Sequence, residues 1–336
     1  MTRSAAWLRD SCVCPECRDA VSGQHLLDVG DLHGWHVVSE TPDTAELEHR
    51  DGTRHTCVLT GAGRAAGPLP DDGAGLTRRC SPDPRPHSVG YLDEAWITDV
   101  ATQVIETGAA LVTGVPGERR TVLNVAEHLG FVRATNYGVL FDVEAVADPN
   151  NLAYSALALP LHTDNPYRDP TPTVQLLHCL RPSPSGGETI LADGFSAAEQ
   201  LRSSDPAAFD ALVSTPVRFR FADATTNLSA VRSIIELDAA GEVSAVHVNH
   251  RSMLAPSPDA NVETFYAAYQ AFVAHCADDT NCAGFTLDTG ELLVFDNRRM
   301  LHARGKFPAG DGRHLQGCYI DIDALSSAAN LAHRIA

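Results

Sequence analysis

The chain has 336 residues, 44% of them hydrophobic, which is enough apolar material for one large core and a second small one. Its 43 acidic and 25 basic residues leave a net charge of −18, which argues against a nucleic-acid surface because neutralising phosphates needs clustered Lys and Arg. No run of about 18 apolar residues occurs, and the start MTRSAAWLRDSC has no apolar stretch of leader length, so neither membrane insertion nor secretion is expected and the chain reads as cytoplasmic.

Nine cysteines are present, three of them crowded at Cys12, Cys14 and Cys17. Without a secretory leader such a cluster reads as metal ligands before disulfides. Short apolar runs at 25–29 and 57–59, with the turn signal Asp51-Gly52 between them, predict a small β-rich module over residues 1–62. Residues 61–86 are dense in Gly, Pro and Asp without apolar periodicity, so a linker is placed at 63–86 and the main domain at 87–336.

In that domain, Ile97, Val100, Val104 and Ile105 fall at helical spacing within residues 95–110, and 124–129 suggests a second helix. Strands are predicted over 173–180, 216–221, 243–249, 291–295 and 315–322, all rich in β-branched and aromatic residues. Two helical patterns interrupt them, one running from 196 through Phe209 and Leu212, the other over 262–276 with Phe265, Tyr269 and Phe272 on one face. Short strands with helices at the edges predict a mainly β fold, a double-stranded β-helix or jelly roll, rather than a parallel sheet.

The stretch LPLHTDNPY sets His162 and Asp164 two residues apart. On a strand, i and i+2 share a face, so an imidazole and a carboxylate would meet one ion. With 15 histidines in the chain, a His-x-Asp arises by chance about once, so the spacing alone leaves ligand and accident both open. A second histidine, His302, follows a buried-looking strand and a polar turn in DNRRMLHAR. Two histidines and one carboxylate would form the facial triad of non-haem Fe(II) oxygenases, which leaves positions open for cosubstrate and dioxygen. The alternative is a loop histidine bonded to backbone. Arg313, 11 residues after His302, opens the strand-like RHLQGCY, and its planar fork suits a carboxylate such as the far end of a 2-oxo acid. Standing alone, it would read as an arginine solvated at a strand start.

Together LHTDNPY, QLLHCLRPSPSGGETILADGF, NRRMLHARGKF and GRHLQGCYIDID resemble the γ-butyrobetaine hydroxylase branch of the Fe(II)/2-oxoglutarate dioxygenases, related to taurine dioxygenase. The resemblance covers most of residues 90–325, and WLRDSCVCPECRD is similar to the small zinc-binding domain that precedes the catalytic domain in this branch. It implies that His162, Asp164 and His302 bind iron and that Arg313 binds the distal carboxylate of 2-oxoglutarate. Thr189 falls where the superfamily places a hydroxyl contacting 2-oxoglutarate, although a hydroxyl satisfying a strand start reads equally well. Thr173 departs from the pattern, standing where the family often has glycine.

The resemblance further implies an aromatic cage of Tyr137, Phe141, Tyr154 and Tyr319 around a quaternary ammonium, which ring faces attract and which cannot donate hydrogen bonds. Asn151 and Asn249 fall at the positions for the substrate's anionic end, with His250 and Arg251 beside Asn249 as additional donors for a dianion. For zinc, the family's histidine after an Asp-Gly pair is replaced by Thr53. If that segment is a strand, Thr53, His55 and Cys57 share a face, so His55 is the expected fourth ligand to join Cys12, Cys14 and Cys17, with Cys57 in reserve.

The expected activity is hydroxylation of γ-butyrobetaine to carnitine with 2-oxoglutarate, dioxygen and ascorbate as reductant, in a homodimer. A 2-trimethylaminoethylphosphonate or trimethyllysine hydroxylase is the alternative within the class. Outside it stand a non-catalytic jelly-roll binding protein and a hydrolase with zinc at the same triad, neither of which accounts for Arg313.

Overall fold

In the computed structural model the described residues are 3–18, 26–27, 29–59, 78–80, 83–144, 156–257 and 261–335. The chain divides into two compact units, Met1–Ala74 and Gly75–Ala336. Most of the predicted linker, residues 63–77 and 81–82, lies outside the described residues.

In the smaller unit, helix α1 (Ala5–Asp10) starts where the Ser4 hydroxyl accepts a hydrogen bond from the Trp7 amide. Strands β1 (Trp35–Glu40), β2 (Thr44–His49) and β3 (Arg54–Val58) form an antiparallel meander. The β2–β3 turn uses Asp51 to accept from the Thr53 amide and Gly52 at φ +90°, so this turn is where the Asp-Gly pair placed it. The apolar run at 25–29 is only partly described. His25 and Asp28 lie outside the described residues, and Val29 opens a short 3-10 helix, Val29–Leu32, because Gly30 and Asp31 cut the apolar run. Leu8, Ala45, Leu47, Cys57 and Leu59 form the small core.

The larger unit begins with β4 (His87–Gly90), α2 (Trp96–Thr107), β5 (Ala109–Thr113), α3 (Thr121–Leu129), β6 (Val132–Arg133) and β7 (Phe141–Glu144). It continues with β8 (Leu159–His162), β9 (Val174–Arg181), β10 (Thr189–Asp193), α4 (Gly194–Ser204) and α5 (Pro206–Ser214). Strands β11 (Val217–Ala222), β12 (Asn227–Arg232), β13 (Ile235–Leu237) and β14 (Val243–Val246) lead to α6 (Val262–Cys276). β15 (Cys282–Phe285), β16 (Leu292–Asp296), β17 (Met300–Arg304), β18 (His314–Ile320) and α7 (Ile322–Ile335) complete it.

Local chemistry sets the boundaries. α2 buries Trp96, Val100, Ala101 and Val104 and stops at Gly108, whose φ of +91° fits the left-handed closing residue of a helix. The single helical pattern expected from 196 to 212 is two helices, because Asp205 leaves helical geometry, accepts from the Ala208 amide and is followed by Pro206 at the first position of the next helix. The departure at Thr173 has a visible use: its hydroxyl accepts from the Ile322 amide, the first residue of α7.

Two sheets face each other in a jelly-roll arrangement. The larger runs β4-β5-β16-β9-β18-β6 with β7 also on β18, and the smaller runs β15-β10-β17-β8. Leu177, Leu191, Leu293, Phe295, Met300 and Leu315 fill one core. On the opposite side Leu176, Val294 and Cys318 meet Val100, Val104 and Val125 of α2 and α3. Both faces of the central strands are therefore buried, which is why β16 reads as an apolar run instead of an alternating one and why β9 and β18 bury polar side chains such as Gln175, His178 and Gln316. Each fully buried Leu or Phe here contributes about 1.5–3 kcal/mol. Among the described residues no helix is long and apolar enough to cross a membrane.

Candidate metal and cosubstrate site

His162 is the last residue of β8 and stands directly across the ladder from His302 in β17, with ring centroids 4.2 Å apart. Asp164 lies beyond the end of β8, so strand alternation is not what brings it to the same face. Instead Asn297, in the β16–β17 turn, clamps its backbone: Asn297 Oδ1 accepts from the Asp164 amide at 2.7 Å, and Asn297 Nδ2 donates to the carbonyls of Asp164 and Pro172 at 3.0 and 2.9 Å. One ligand atom from each of His162, Asp164 and His302 then falls within 4.8 Å of the others.

Neighbours orient each of these groups. His162 Nδ1 donates to the Pro160 carbonyl at 2.9 Å, and Nε2 faces Asp164 Oδ1 at 3.4 Å. The Tyr319 hydroxyl donates to Asp164 Oδ2 at 2.7 Å, and Phe295 packs on the His302 ring at 5.0 Å. Burial pushes the Asp164 carboxyl up, but the His162 hydrogen bond, the charges of both histidines and the Tyr319 hydroxyl together hold it well below the usual carboxylate range. Burial pushes His302 down to about 3, with the His162 charge adding to the effect. Burial and the Asp164 charge hold the Tyr319 phenol protonated. At neutral pH the site thus offers an ionised carboxylate beside a neutral imidazole, the protonation states a divalent cation needs.

Arg313 precedes β18 and is fixed by three features. Its amide donates to Asp311 Oδ1 at 2.9 Å, its guanidinium lies over the Phe307 ring at 5.4 Å, and the two glycines of GGET give it room. Gly187, at φ +73°, would with a Cβ meet Arg313 Cδ and Nε at 3.0 Å, and Gly186, at φ +72°, would collide with the Lys306 carbonyl. Arg313 Nη1 is buried without a hydrogen-bond partner, an orphan that an anion would satisfy. Arg304, whose guanidinium also lies over the Phe307 ring at 4.9 Å, is pushed down to about 10 by burial, with the charges of Arg313 and Arg251 adding to it. The donor set and this unfilled guanidinium fit a divalent metal with a carboxylate cosubstrate.

All of these open onto one cavity of about 450 Å³, which Thr189 also lines. Tyr137, Phe141 and Tyr319 are on its wall, with Phe141 and Tyr319 5.2 Å apart between centroids. Gly317 makes that pairing possible, since a Cβ there would sit 2.5 Å from the Phe141 ring. Tyr154 and Asn151 lie outside the described residues. Asn249 lines the cavity, with Nδ2 donating to the Thr163 carbonyl at 3.2 Å. Sequence reasoning missed Tyr167 and Phe221, which stack at 5.3 Å on the same wall, with the Tyr167 hydroxyl 3.2 Å from that of Tyr137. Tyr167 stood in the quoted LPLHTDNPY, but a lone aromatic after a turn carries no signal of its own.

In the smaller unit, His55 Nε2 lies 3.5, 3.7 and 3.5 Å from the sulfurs of Cys12, Cys14 and Cys17. These four form a second group with ligand atoms within 4.8 Å of one another, and Cys57 is not in it. His55 Nδ1 faces Glu16 at 3.4 Å, and Arg9 donates to Cys17 Sγ at 2.8 Å.

A model of the taurine catabolism dioxygenase TauD, TfdA family matches residues 81–319. The chain is 34% identical over 343 residues to gamma-butyrobetaine dioxygenase of Pseudomonas sp. (strain AK-1), covering 96% of this chain and 88% of that one. It is 30% identical over 245 residues to trimethyllysine dioxygenase of Meyerozyma guilliermondii, covering 71% and 61%. Among solved structures, asparagine oxygenase in complex with Fe(II), 3-hydroxyasparagine and succinate shares the fold, with a TM-score of 0.55 at 21% identity over 68% of this chain and 80% of that one. The chain therefore belongs to the taurine catabolism dioxygenase TauD, TfdA family and is a 2-oxoglutarate-dependent iron dioxygenase.

Proposed function

We propose that the protein hydroxylates a trimethylammonium acid, converting γ-butyrobetaine to carnitine. The observation that carries this reading is the aromatic wall of Tyr137, Phe141 and Tyr319 in the same cavity as His162, Asp164 and His302. Ring faces there suit a cation that donates no hydrogen bond. The relatives named for γ-butyrobetaine and trimethyllysine support the same substrate class.

His162, Asp164 and His302 would hold Fe(II), which with 2-oxoglutarate and dioxygen supplies the oxidising chemistry for C–H hydroxylation. The Pro160 carbonyl keeps the proton of His162 on Nδ1, so Nε2 is the ligating nitrogen. Tyr319 occupies one Asp164 oxygen, which favours single-oxygen ligation by the other. Arg313 and Thr189 would receive the distal carboxylate of 2-oxoglutarate. The cage, completed by Tyr154, would hold the ammonium while Asn151 and Asn249 hold the acid end, so orientation between two fixed ends selects the carbon that reacts. Cys12, Cys14, Cys17 and His55 would bind a structural zinc. Ascorbate as reductant, a homodimer and a cytoplasmic location complete the reading.

The test is product analysis. Incubation with γ-butyrobetaine, Fe(II), ascorbate and 2-oxoglutarate should yield a mono-hydroxylated product with one succinate per turnover. Product from trimethyllysine or 2-trimethylaminoethylphosphonate alone would move the assignment to those compounds.

A further inference from the structure

The cavity carries more positive charge than the 2-oxoglutarate reading uses. Arg220, Arg251, Arg304 and Arg313 all line it, in a chain whose net charge is −18, and Arg220 donates to Asn227 Oδ1 at 3.2 Å. Its acids are committed: Asp164 is in the proposed metal set, and Asp142 is engaged by His314 at 2.6 Å, Gln316 at 2.9 Å and Arg119 at 3.2 Å. Arg313 is taken by the cosubstrate, and Arg304 donates to the Leu157 carbonyl at 2.8 Å. Among the described residues Arg251 makes no ion pair.

Arg251 sits in a turn anchored on both sides. Thr163 and Val248 exchange hydrogen bonds next to Asp164, with the Thr163 amide donating to the Val248 carbonyl at 2.7 Å and the Val248 amide to Thr163 Oγ1 at 3.0 Å. On the other flank the Arg220 amide of β11 donates to the Ser252 carbonyl at 2.7 Å, and the Leu254 amide to the Arg218 carbonyl at 2.7 Å. Arg251 lines the same cavity as Asp164, His302 and Asn249, on the turn that follows Asn249. Asn249 has already committed an amide proton to the Thr163 carbonyl, which weakens it as the sole anion donor.

We propose that Arg251 receives the substrate's anionic end and selects trimethylammonium acids that carry no α-amino group. This rests on the trimethylammonium reading above. γ-Butyrobetaine and 2-trimethylaminoethylphosphonate present only an anion at that end, which the guanidinium fork binds. Trimethyllysine presents an ammonium beside its carboxylate, which the guanidinium repels.

The experiment is calorimetric binding to the full chain loaded with Mn(II) and 2-oxoglutarate without dioxygen, so that no turnover intervenes. Wild type should bind γ-butyrobetaine more tightly than trimethyllysine. Arg251→Ala should weaken γ-butyrobetaine about 10- to 100-fold, the range for a hydrogen bond to a charged group, and bring the two ligands closer together. Arg251→Lys should recover part of the loss, and 2-oxoglutarate affinity should stay at the wild-type value, which reports an intact fold. Equal γ-butyrobetaine affinity in wild type and Arg251→Ala would overturn the role of Arg251 and leave the trimethylammonium reading standing. Failure of wild type to bind any of the three compounds would overturn both.

Discussion

At the scale of single residues, Tyr319 has two positions in the account, as a cage wall and as the donor to Asp164 Oδ2. Tyr319→Phe keeps the ring and removes only the donor, so Fe(II) affinity should fall about 10-fold or more, the range for losing a partner of a ligating carboxylate; a titration with the metal would check this. Arg313→Ala should raise the 2-oxoglutarate KM by about 100-fold and leave metal affinity unchanged, since its Nη1 is buried without a partner and Arg313 is not one of the metal group. His162, Asp164, His302 and Arg313 were legible because their side-chain chemistry is distinctive and their order along the chain is fixed. Asn297 was not, because an amide that clamps another residue's backbone looks in sequence like any turn asparagine.

At the scale of elements, the turn before β10 and the ladder between β8 and β17 decide the site. Gly187→Ala places a Cβ 3.0 Å from the Arg313 side chain at a φ of +73°, so it should cost about 1–3 kcal/mol in stability and loosen 2-oxoglutarate as well. Thermal unfolding and cosubstrate titration on the same variant would separate the two effects. The helices were legible where caps and periodicity agree, as at Asn261 before α6. The break at Asp205-Pro206 was written in the sequence but outweighed by the apolar pattern running across it. Asp164 shows the opposite error: the i, i+2 rule predicted the right neighbours although the strand ends before the second residue, and a turn does the positioning.

At the scale of the whole molecule, acid should act through buried histidines. His178 is fully buried between β16 and β18, neither ring nitrogen has a hydrogen-bond partner, and burial pushes it down to about 4. The unfolded chain binds its proton near pH 6.5 and the folded one only near 4, so stability should fall as pH drops through that window, by about 3 kcal/mol for this residue. Denaturant titrations at pH 7 and pH 4.5 would show a smaller loss in His178→Leu than in wild type. The smaller unit should respond to chelation instead: removing metal from Cys12, Cys14, Cys17 and His55 should lower the thermal stability of a unit whose core holds few large side chains, read by differential scanning calorimetry with and without a zinc chelator.

The most direct measurement is succinate release by the purified chain with Fe(II), ascorbate and 2-oxoglutarate, with and without γ-butyrobetaine. Release stimulated by γ-butyrobetaine in wild type and, at 2-oxoglutarate near the wild-type KM, reduced to a small fraction in Arg313→Ala is the predicted result. No stimulation by any trimethylammonium acid in protein that binds both iron and 2-oxoglutarate would contradict the account.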